Sequence, residues 1–361
     1  MRFYDMLQLD PAGLKSEVCA AETVGERRKL QAAMTLRAIL LVVFAIIFIA
    51  PVGTFFGSEN NPMGVALFCI LLAVRFVDFG YCIKDSMLNL AVTFALILVA
   101  PVLTAFVNPV IAACIHFAAF FTILLMASDS PEMGNGGLYG FAYVFLTGNP
   151  VTGELFWKRA ALTLVGYLIC GTIFYVKHRK KNIGIRFRQI VSQFNMSKEK
   201  SRWQLRMALG VSLVLTLGNA LHLERFMWMG FACASLLSTY PYTANIKERV
   251  WQRILGVVVG SVLFFGVYQV VPESMHGLLG PAGGLCLGFC TDYRYKTAIN
   301  CFGALMLAAG IYGVQDAVLL RIQNNLLGVI LGFTFIWLYQ KVVDKRFEMS
   351  EMGVQQPTTE L

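Results

Sequence analysis

Charged side chains are scarce in this sequence: Asp, Glu, Lys and Arg make up 14% of the 361 residues, whereas 57% are hydrophobic. In soluble domains about a quarter of all residues are charged. The core of a soluble protein could not bury as many apolar side chains as this chain has. We therefore expect lipid to be the solvent for much of the protein surface. A single large soluble α-helical domain is the alternative, and the composition disfavours it.

The motifs of several enzyme and pump classes are also missing. No Gly-x-x-x-x-Gly-Lys-Ser/Thr loop is present to hold ATP, which excludes a primary pump within this chain. His-Glu-x-x-His, Gly-x-Ser-x-Gly and a paired-carboxylate site are missing too, so a membrane enzyme is disfavoured. Cys286 and Cys290 share a helical face, but no His or further Cys completes a metal set. We therefore predict no enzyme activity, no metal and no cofactor.

The apolar pattern is present twice, at an offset that decreases from 169 to 162 residues along the chain. The matching positions are Met34 to Arg37 with Trp203 to Arg206, Cys69 with Cys233, Ile83-Lys84 with Ile246-Lys247, and Arg159 with Arg321. A duplicated and strongly apolar chain is typical of a membrane transporter whose site lies between two repeats.

Twelve apolar segments are candidates for membrane helices, since about 20 apolar residues span the hydrocarbon. They are 35–56, 63–81, 87–106, 109–127, 137–148 and 156–176 in the first half, and 204–222, 226–241, 250–271, 276–291, 297–313 and 317–341 in the second. Each half holds an even number, so the two halves would have the same orientation. We predict an all-α polytopic membrane protein of about 12 transmembrane helices, arranged as two parallel six-helix repeats; whether 137–148 and 276–291 truly cross stays open.

This reading divides the chain into five segments. They are a cytoplasmic N-terminal segment (1–33), the first membrane repeat (34–176), a basic amphipathic cytoplasmic linker (177–202), the second membrane repeat (203–342) and a cytoplasmic tail (343–361). In the linker Ile183, Phe187, Ile190, Val191 and Phe194 recur at helical spacing, which predicts an amphipathic helix lying on the inner leaflet.

The distribution of basic residues predicts the orientation. With both termini in the cytoplasm, all 30 Lys and Arg residues except Lys158, Arg159, Arg225 and Arg321 lie on the inner side or at inner helix ends. The net charge of +9 is therefore assigned to contact with membrane lipid, and we expect no nucleic acid as a partner.

Polar residues inside the apolar segments are the candidates for function, because a charge at mid-membrane costs roughly 2.5–3.5 kcal/mol on insertion scales. Arg75 and Asp78 are predicted to share a helical face, either as a proton carrier with an anion-attracting partner or as a helix cap at the interface. His116 suits proton coupling. A hydrogen-bonded packing role is its alternative.

The second group of candidates lies near the predicted outer ends. Arg321 with Asn324 and Asn325 is the densest polar cluster inside a predicted span, and Arg159 is its counterpart in the first half. These cations would form an anion-attracting vestibule between the repeats, or instead extend to lipid headgroups. Gly256 and Gly260 lie four residues apart, which favours close packing of helices.

Three stretches of the second half carry a resemblance to a known family: Gln204 to Gly210, Trp228 to Leu237, and Glu248 to Gly260. They resemble the fusaric acid resistance and aromatic acid exporter family, whose module is also similar to plant malate-channel proteins. The positions that match the family pattern are Arg206, Trp228, Arg249, Arg253, Gly256 and Gly260. The chain departs from larger members because no sizeable cytoplasmic domain follows either half.

The resemblance implies a bacterial inner-membrane secondary exporter of aromatic or other hydrophobic organic acids or drugs. It also implies coupling to the proton gradient and a periplasmic adaptor of the membrane-fusion type; a homo-oligomer stays open. The alternatives are an organic-anion channel of the malate-channel type and a non-transporting membrane scaffold of an efflux complex.

Overall fold

The computed structural model describes residues 2–240 and 246–344, and within these ranges the chain forms helices and no β-strand. The helices of the first half are α1 (Phe3–Gln8), α2 (Pro11–Ala20), α3 (Val24–Phe56), α4 (Asn61–Ala73), α5 (Ile83–Thr104), α6 (Pro109–Ala127), α7 (Asn135–Thr147) and α8 (Gly153–His178). Those that follow are α9 (Phe187–Ser192), α10 (Glu199–Ala220), α11 (Met227–Leu237), α12 (Ile246–Val270), α13 (Leu279–Leu287), α14 (Tyr293–Tyr312) and α15 (Val314–Tyr339). Every predicted membrane segment overlaps one of these helices.

Six helices of the described ranges are long and apolar enough to cross a membrane. They are α3, α5, α6, α8, α12 and α15 with its π-helical extension to Asp344. The other six overlapping helices are shorter or more polar, as in α11, which has 11 residues. The chain is therefore a multi-pass, all-helical membrane protein.

The chain packs as two compact units, each with helices from both predicted halves. One takes in residues up to 50 together with 247–325, and the other takes in 51–246 with the residues from 326 onward. In the first unit α1 and α2 bury Met6 and Leu14 against Leu30 and Ala33 of α3. This contact explains why α3 begins at Val24, three turns before the predicted start at 35.

In the second unit α10 lies along α6, α5 packs on α6 and α8, and α4 packs on α7 and α8. Small residues allow these close approaches. A Cβ atom at Gly166 of α8 would lie 2.5 Å from the side chain of Leu67 in α4, and one at Gly136 of α7 would lie 2.5 Å from the Trp203 ring. A side chain at either place would require Leu67 or Trp203 to shift, so glycine permits the observed close approach of the helices.

The second predicted helix is wrong in its extent, because α4 ends at Ala73 instead of continuing to residue 81. The carbonyl oxygen of Val74 accepts a hydrogen bond from His178 Nε2 at 2.8 Å. The Asp78 carboxylate accepts the amide of Gly80, whose φ of +86° is left-handed. Side chains that bind nearby backbone groups compete with helix formation. Arg75 and Asp78 therefore do not share a helical face.

The linker is also different from the predicted amphipathic helix. Only α9 is helical between α8 and α10, and Asn182 has a φ of +50°, which interrupts any longer helix. Ile183 is 74% exposed, whereas Phe194 packs edge-on against Phe121 of α6. Part of the linker therefore packs against α6. The predicted tail at 343–361 falls almost entirely outside the described residues.

Candidate functional site

Arg253 is a buried cation of the first unit, and it has no carboxylate partner in the described part of the chain. Its side chain is 9% exposed. Nη2 donates to Asn325 Oδ1 at 2.8 Å, and Nη1 donates to the Tyr293 hydroxyl at 3.3 Å. Nε is buried with no hydrogen-bond partner among the described residues. A guanidinium has five N–H donors, so this one keeps unused donor capacity.

Arg249 lies one turn before Arg253 on the same face of α12. Its guanidinium carbon is 3.4 Å from the centroid of the Tyr293 ring. Its Nε atom also has no hydrogen-bond partner within the described ranges. Tyr293 therefore contacts both arginines, through its ring with Arg249 and through its hydroxyl with Arg253.

The same face of α12 continues into Gly256 and Gly260, which explains why α14 reaches the arginines. A Cβ atom at Gly256 would lie 2.8 Å from the carbonyl oxygen of Arg294, and one at Gly260 would overlap the backbone of Ala298. Such contacts are possible only without a side chain. The predicted packing role of the two glycines is confirmed.

Asn325 and Arg321 of α15 complete the group, which we name the arginine cluster: Arg249, Arg253, Tyr293, Arg321 and Asn325. The Asn325 amide nitrogen donates to the Arg321 carbonyl at 2.8 Å, which directs its oxygen toward Arg253. Arg321 is buried beside Cys301 and close enough to Arg253 for electrostatic repulsion. The structure thus brings two family-pattern arginines together with two residues of the predicted polar cluster.

The remaining member of that cluster, Asn324, turns back on its own helix. Its amide nitrogen donates to the Leu320 carbonyl at 3.0 Å. Buried polar groups are normally satisfied in this way, and the contact is a helix-internal one.

The partners of Arg249 and Arg253 are neutral. Tyr293 and Asn325 carry no charge, and neither arginine forms an ion pair within residues 2–240 and 246–344. A buried charge is costly unless a counter-charge or several hydrogen bonds offset it. The cluster is therefore suited to an anion. No group of three or more His, Cys, Asp or Glu side chains that could hold a metal ion occurs in the described residues.

Arg159, the counterpart of Arg321, has a different environment in the second unit. It is 1% exposed, and its three nitrogens donate to Asn60 Oδ1 at 2.8 Å and to the carbonyls of Asn149 and Glu59 at 2.7 Å each. The side chain is enclosed by protein, so the alternative in which it extends to lipid headgroups is wrong for Arg159. Its contacts tie together three chain segments.

Asp78 lies in the connection between α4 and α5. Its carboxylate accepts hydrogen bonds from Lys181 Nζ at 3.3 Å and Asn182 Nδ2 at 3.0 Å, so it holds the linker. The Arg75 guanidinium lies over the Phe76 ring at 4.8 Å. His116 is buried in α6, with Nδ1 2.9 Å from the Tyr143 hydroxyl. That contact fits its packing alternative.

Arg206 and Trp228 are buried in the second unit, on α10 and α11. Two residues were missed by the sequence reasoning: Tyr293 in the arginine cluster and His178 beside Asp78. Both act through contacts with distant parts of the chain, and no local pattern marks either of them. The nearest signal was the density of polar residues around Asp292 to Lys296 in an apolar chain.

Comparison with known proteins yields one match. No curated protein and no solved structure matches the chain. Residues 212–335 match the family described as Fusaric acid resistance protein-like, which confirms the predicted resemblance over the second half. Arg249, Arg253, Tyr293, Arg321 and Asn325 all fall inside the matched segment. The chain is therefore a multi-pass membrane protein whose residues 212–335 are similar to a fusaric acid resistance protein-like domain.

Proposed function

We propose that this protein is an inner-membrane secondary exporter of aromatic or other hydrophobic organic acids, and that the arginine cluster binds the acid anion. One observation carries the proposal. Arg249 and Arg253, two family-pattern cations on one face of α12, have neutral partners and unused buried donors in the described structure. Such an arrangement is stable with an anion nearby and costly without one.

The cluster suits a carboxylate attached to a flat apolar group. A carboxylate has two oxygens that accept parallel hydrogen bonds from guanidinium groups, and charge-assisted bonds are the strongest of their kind. Tyr293 adds an aromatic ring within 3.4 Å of the Arg249 guanidinium. An aromatic acid could place its ring beside Tyr293 while its carboxylate meets Arg253. A drug with the same anionic and apolar parts would bind by the same contacts.

Equivalent contacts support two repeats of six helices. Gly166 of the sixth helix packs on Leu67 of the second in the first half, and Gly328 of α15 packs on Met229 and Ala232 of α11 in the second half. The first helix of each half contacts the fourth of the other: Gln204 of α10 donates to the Leu124 carbonyl of α6. In the other unit, a Cβ atom at Gly288, which directly follows α13, would touch Ala38 of α3. We propose on this basis that all twelve helices belong to the membrane domain.

The remaining parts of the proposal extend the sequence interpretation. The basic residues at inner helix ends favour both termini in the cytoplasm of a bacterial cell. A periplasmic adaptor of the membrane-fusion type and a homo-oligomer stay predictions. For proton coupling we favour Asp78 over His116, because the Asp78 side chain is 23% exposed whereas His116 is enclosed with Tyr143.

An organic-anion channel is the second candidate. It is favoured by the composition of the arginine cluster, where Arg249 and Arg253 contact no carboxylate of the described chain that could exchange a proton with the bound acid. A channel needs an attractive site but no coupling residue.

The test uses purified protein in liposomes with radiolabelled benzoate inside and an imposed proton gradient. We expect efflux above that of protein-free liposomes, and we expect Arg253→Gln to reduce it about tenfold or more, because a charge-assisted contact to the anion is lost. Arg294→Gln is the matched control. Arg294 belongs to the neighbouring helix α14 but pairs with Asp292 at 3.2 Å, so its loss should leave efflux unchanged.

Each outcome of this test assigns one function. Efflux that depends on the gradient supports an exporter, and unitary currents in a planar bilayer that ignore the gradient support the channel. Wild-type protein without flux or current would leave the scaffold alternative. Equal efflux from the Arg253→Gln and Arg294→Gln variants would contradict the role of the arginine cluster.

A further inference from the structure

His178 is a buried titratable residue with no role in the proposed anion site. It is the last residue of α8, is 4% exposed and packs against the Phe174 ring at a centroid distance of 4.9 Å. Its Nε2 atom lies 2.8 Å from the carbonyl oxygen of Val74, which follows α4. A carbonyl can only accept, so Nε2 must carry a proton. The neutral imidazole therefore has its lone pair on Nδ1.

That lone pair faces a carboxylate. Nδ1 is 3.9 Å from Asp78 Oδ2 and has no hydrogen-bond partner among the described residues. Two acceptors that face each other repel, whereas a protonated Nδ1 would donate to Asp78 and form a charge-assisted bond. A proton on His178 Nδ1 would lie between the imidazole and the carboxylate. The hydrogen bond would form once Nδ1 and Asp78 Oδ2 move closer together than 3.9 Å.

Two other side chains donate to the Asp78 carboxylate, but neither is a buried cation. Lys181 Nζ lies 3.3 Å from Oδ2, and Asn182 donates to Oδ1 at 3.0 Å. The next charged pair, Asp129 with Lys200, lies beyond Gly80, whose Cβ position would touch the Asp129 carboxylate. Lys181 is 53% exposed, so solvent weakens its ion pair with Asp78. The buried His178 is the stronger potential partner.

The contact matters because Asp78 and His178 belong to different parts of the chain. Asp78 lies in the connection from α4 to α5, while His178, Lys181 and Asn182 begin the linker. Further along, the linker is attached by a backbone hydrogen bond from the Cys82 amide to the Ile185 carbonyl at 2.8 Å. It is also attached by the Arg186–Asp85 pair at 3.0 Å. No imidazole takes part in either attachment.

We propose that His178 is a proton-binding site on the predicted cytoplasmic side, and that its protonation fastens the start of the linker to the α4–α5 connection through Asp78. As a side-chain type, an imidazole is suited to a contact that depends on pH near neutrality. The inference goes beyond the proposed function and does not depend on it, since every contact involved lies within the second unit.

Limited proteolysis of the full-length protein in detergent tests the proposal. Trypsin cleaves after Lys180 and Lys181, and the cleavage rate reports how often this stretch leaves the surface. Wild type and His178→Gln are digested in parallel at pH 6 and pH 8, so the pH dependence of trypsin itself cancels in their ratio. We expect equal rates at pH 8 and about fivefold slower cleavage of the wild type at pH 6, as one additional partly buried ion pair would give.

Two further variants keep the test decisive. Asp78→Asn retains His178 but removes the carboxylate, so it should lose the pH effect even if His178→Gln fails to fold. Lys181→Gln removes the exposed cation, leaves Lys180 as a cleavage site and should keep the effect. Equal wild-type and His178→Gln rates at both pH values, or a full pH effect in Asp78→Asn, would overturn the proposal.

Discussion

Arg159 and Arg253 are both buried arginines in apolar surroundings, yet their guanidinium groups are used in opposite ways. All three nitrogens of Arg159 donate to fixed acceptors at 2.7–2.8 Å, and these acceptors belong to two chain segments outside α8. Arg253 has one short bond, to Asn325, a longer one to Tyr293 and an unpartnered Nε within the described structure. We call a guanidinium saturated when all of its nitrogens donate to protein acceptors, and such a group stabilises the fold. An unsaturated guanidinium keeps an unpaired nitrogen and can bind a ligand. The side-chain type alone does not distinguish these roles.

The aligned positions of the third helices extend this contrast. When Ile83-Lys84 is aligned with Ile246-Lys247, Ser86 and Leu90 stand where α12 has Arg249 and Arg253. Ser86 donates to the Tyr81 carbonyl at 3.1 Å, and Leu90 is fully buried. The first half is thus neutral where the second half is cationic. Under the proposed arrangement of two repeats, only the second half would carry the proposed anion site.

The largest expected effect is the loss of Arg159. Arg159→Gln would leave the buried Asn60 Oδ1 and two partly buried carbonyls without their donors. An unsatisfied buried group costs about 1–3 kcal/mol, and the partly buried carbonyls should add less because water can reach them. We expect a marked fall in thermal stability and a poor yield of folded protein. The measurement is thermal unfolding in detergent by intrinsic fluorescence.

Arg253→Gln is the matched comparison for that experiment. Its stability should stay close to that of the wild type, since relief of an unpaired buried charge offsets the lost bond to Asn325. Should Arg253→Gln unfold as readily as Arg159→Gln, the distinction between a saturated and an unsaturated arginine would be wrong.

The second prediction concerns a variant in which Arg253 gains a carboxylate partner from the protein itself. Asn325→Asp places a carboxylate 2.8 Å from Arg253 Nη2 without changing side-chain volume. The built-in anion should compete with a bound acid and weaken its affinity about tenfold or more. The new ion pair with Arg253 should offset the hydrogen bond that is lost to the Arg321 carbonyl. Benzoate binding by calorimetry is the measurement. Asn324→Asp is the control, because Asn324 bonds to its own helix, and an equal loss there would point to a general charge effect.

The third prediction concerns the glycines that bring α14 to α12. Gly260→Val should separate the helices, because even a Cβ atom there would overlap the backbone of Ala298. Overpacking of this kind costs typically about 1–3 kcal/mol. Tyr293 would then move away from Arg249, so benzoate affinity should fall together with stability. Gly266→Val is the control, since no atom lies within 4 Å of a Cβ at that position.

These contrasts show what the sequence can predict. The positions of the twelve helices followed from long apolar runs, and the glycine pair was correctly assigned to packing. The early end of α4 was not predictable, because His178, 104 residues from Val74, competes for its carbonyl oxygen. The roles of Arg159 and Arg253 could not be separated either. Whether a guanidinium is saturated depends on residues brought together only in the folded chain, such as Asn60 and Asn149.

The smallest expected effect comes from Arg294, an arginine that already has a carboxylate partner. Asp292 is the N-cap of α14 and accepts hydrogen bonds from the Arg294 amide at 2.8 Å and from its guanidinium. Those bonds lower the pKa of Asp292 below its ordinary range. The cap should therefore hold at neutral pH and weaken only as pH falls through the lowered pKa, when the carboxylate takes up its proton.

Asp292→Asn frees Arg294 of its counter-charge but keeps an oxygen that can cap the helix. Benzoate affinity should be unchanged, because Arg294 is 49% exposed and water already solvates its charge. Hydrogen exchange at the first turn of α14 should stay slow in Asp292→Asn and become faster in Asp292→Ala, which loses the cap. If Asp292→Asn instead gained benzoate affinity, any unpaired arginine would suffice to attract the anion. Burial of Arg253 would then not be what makes the arginine cluster a site.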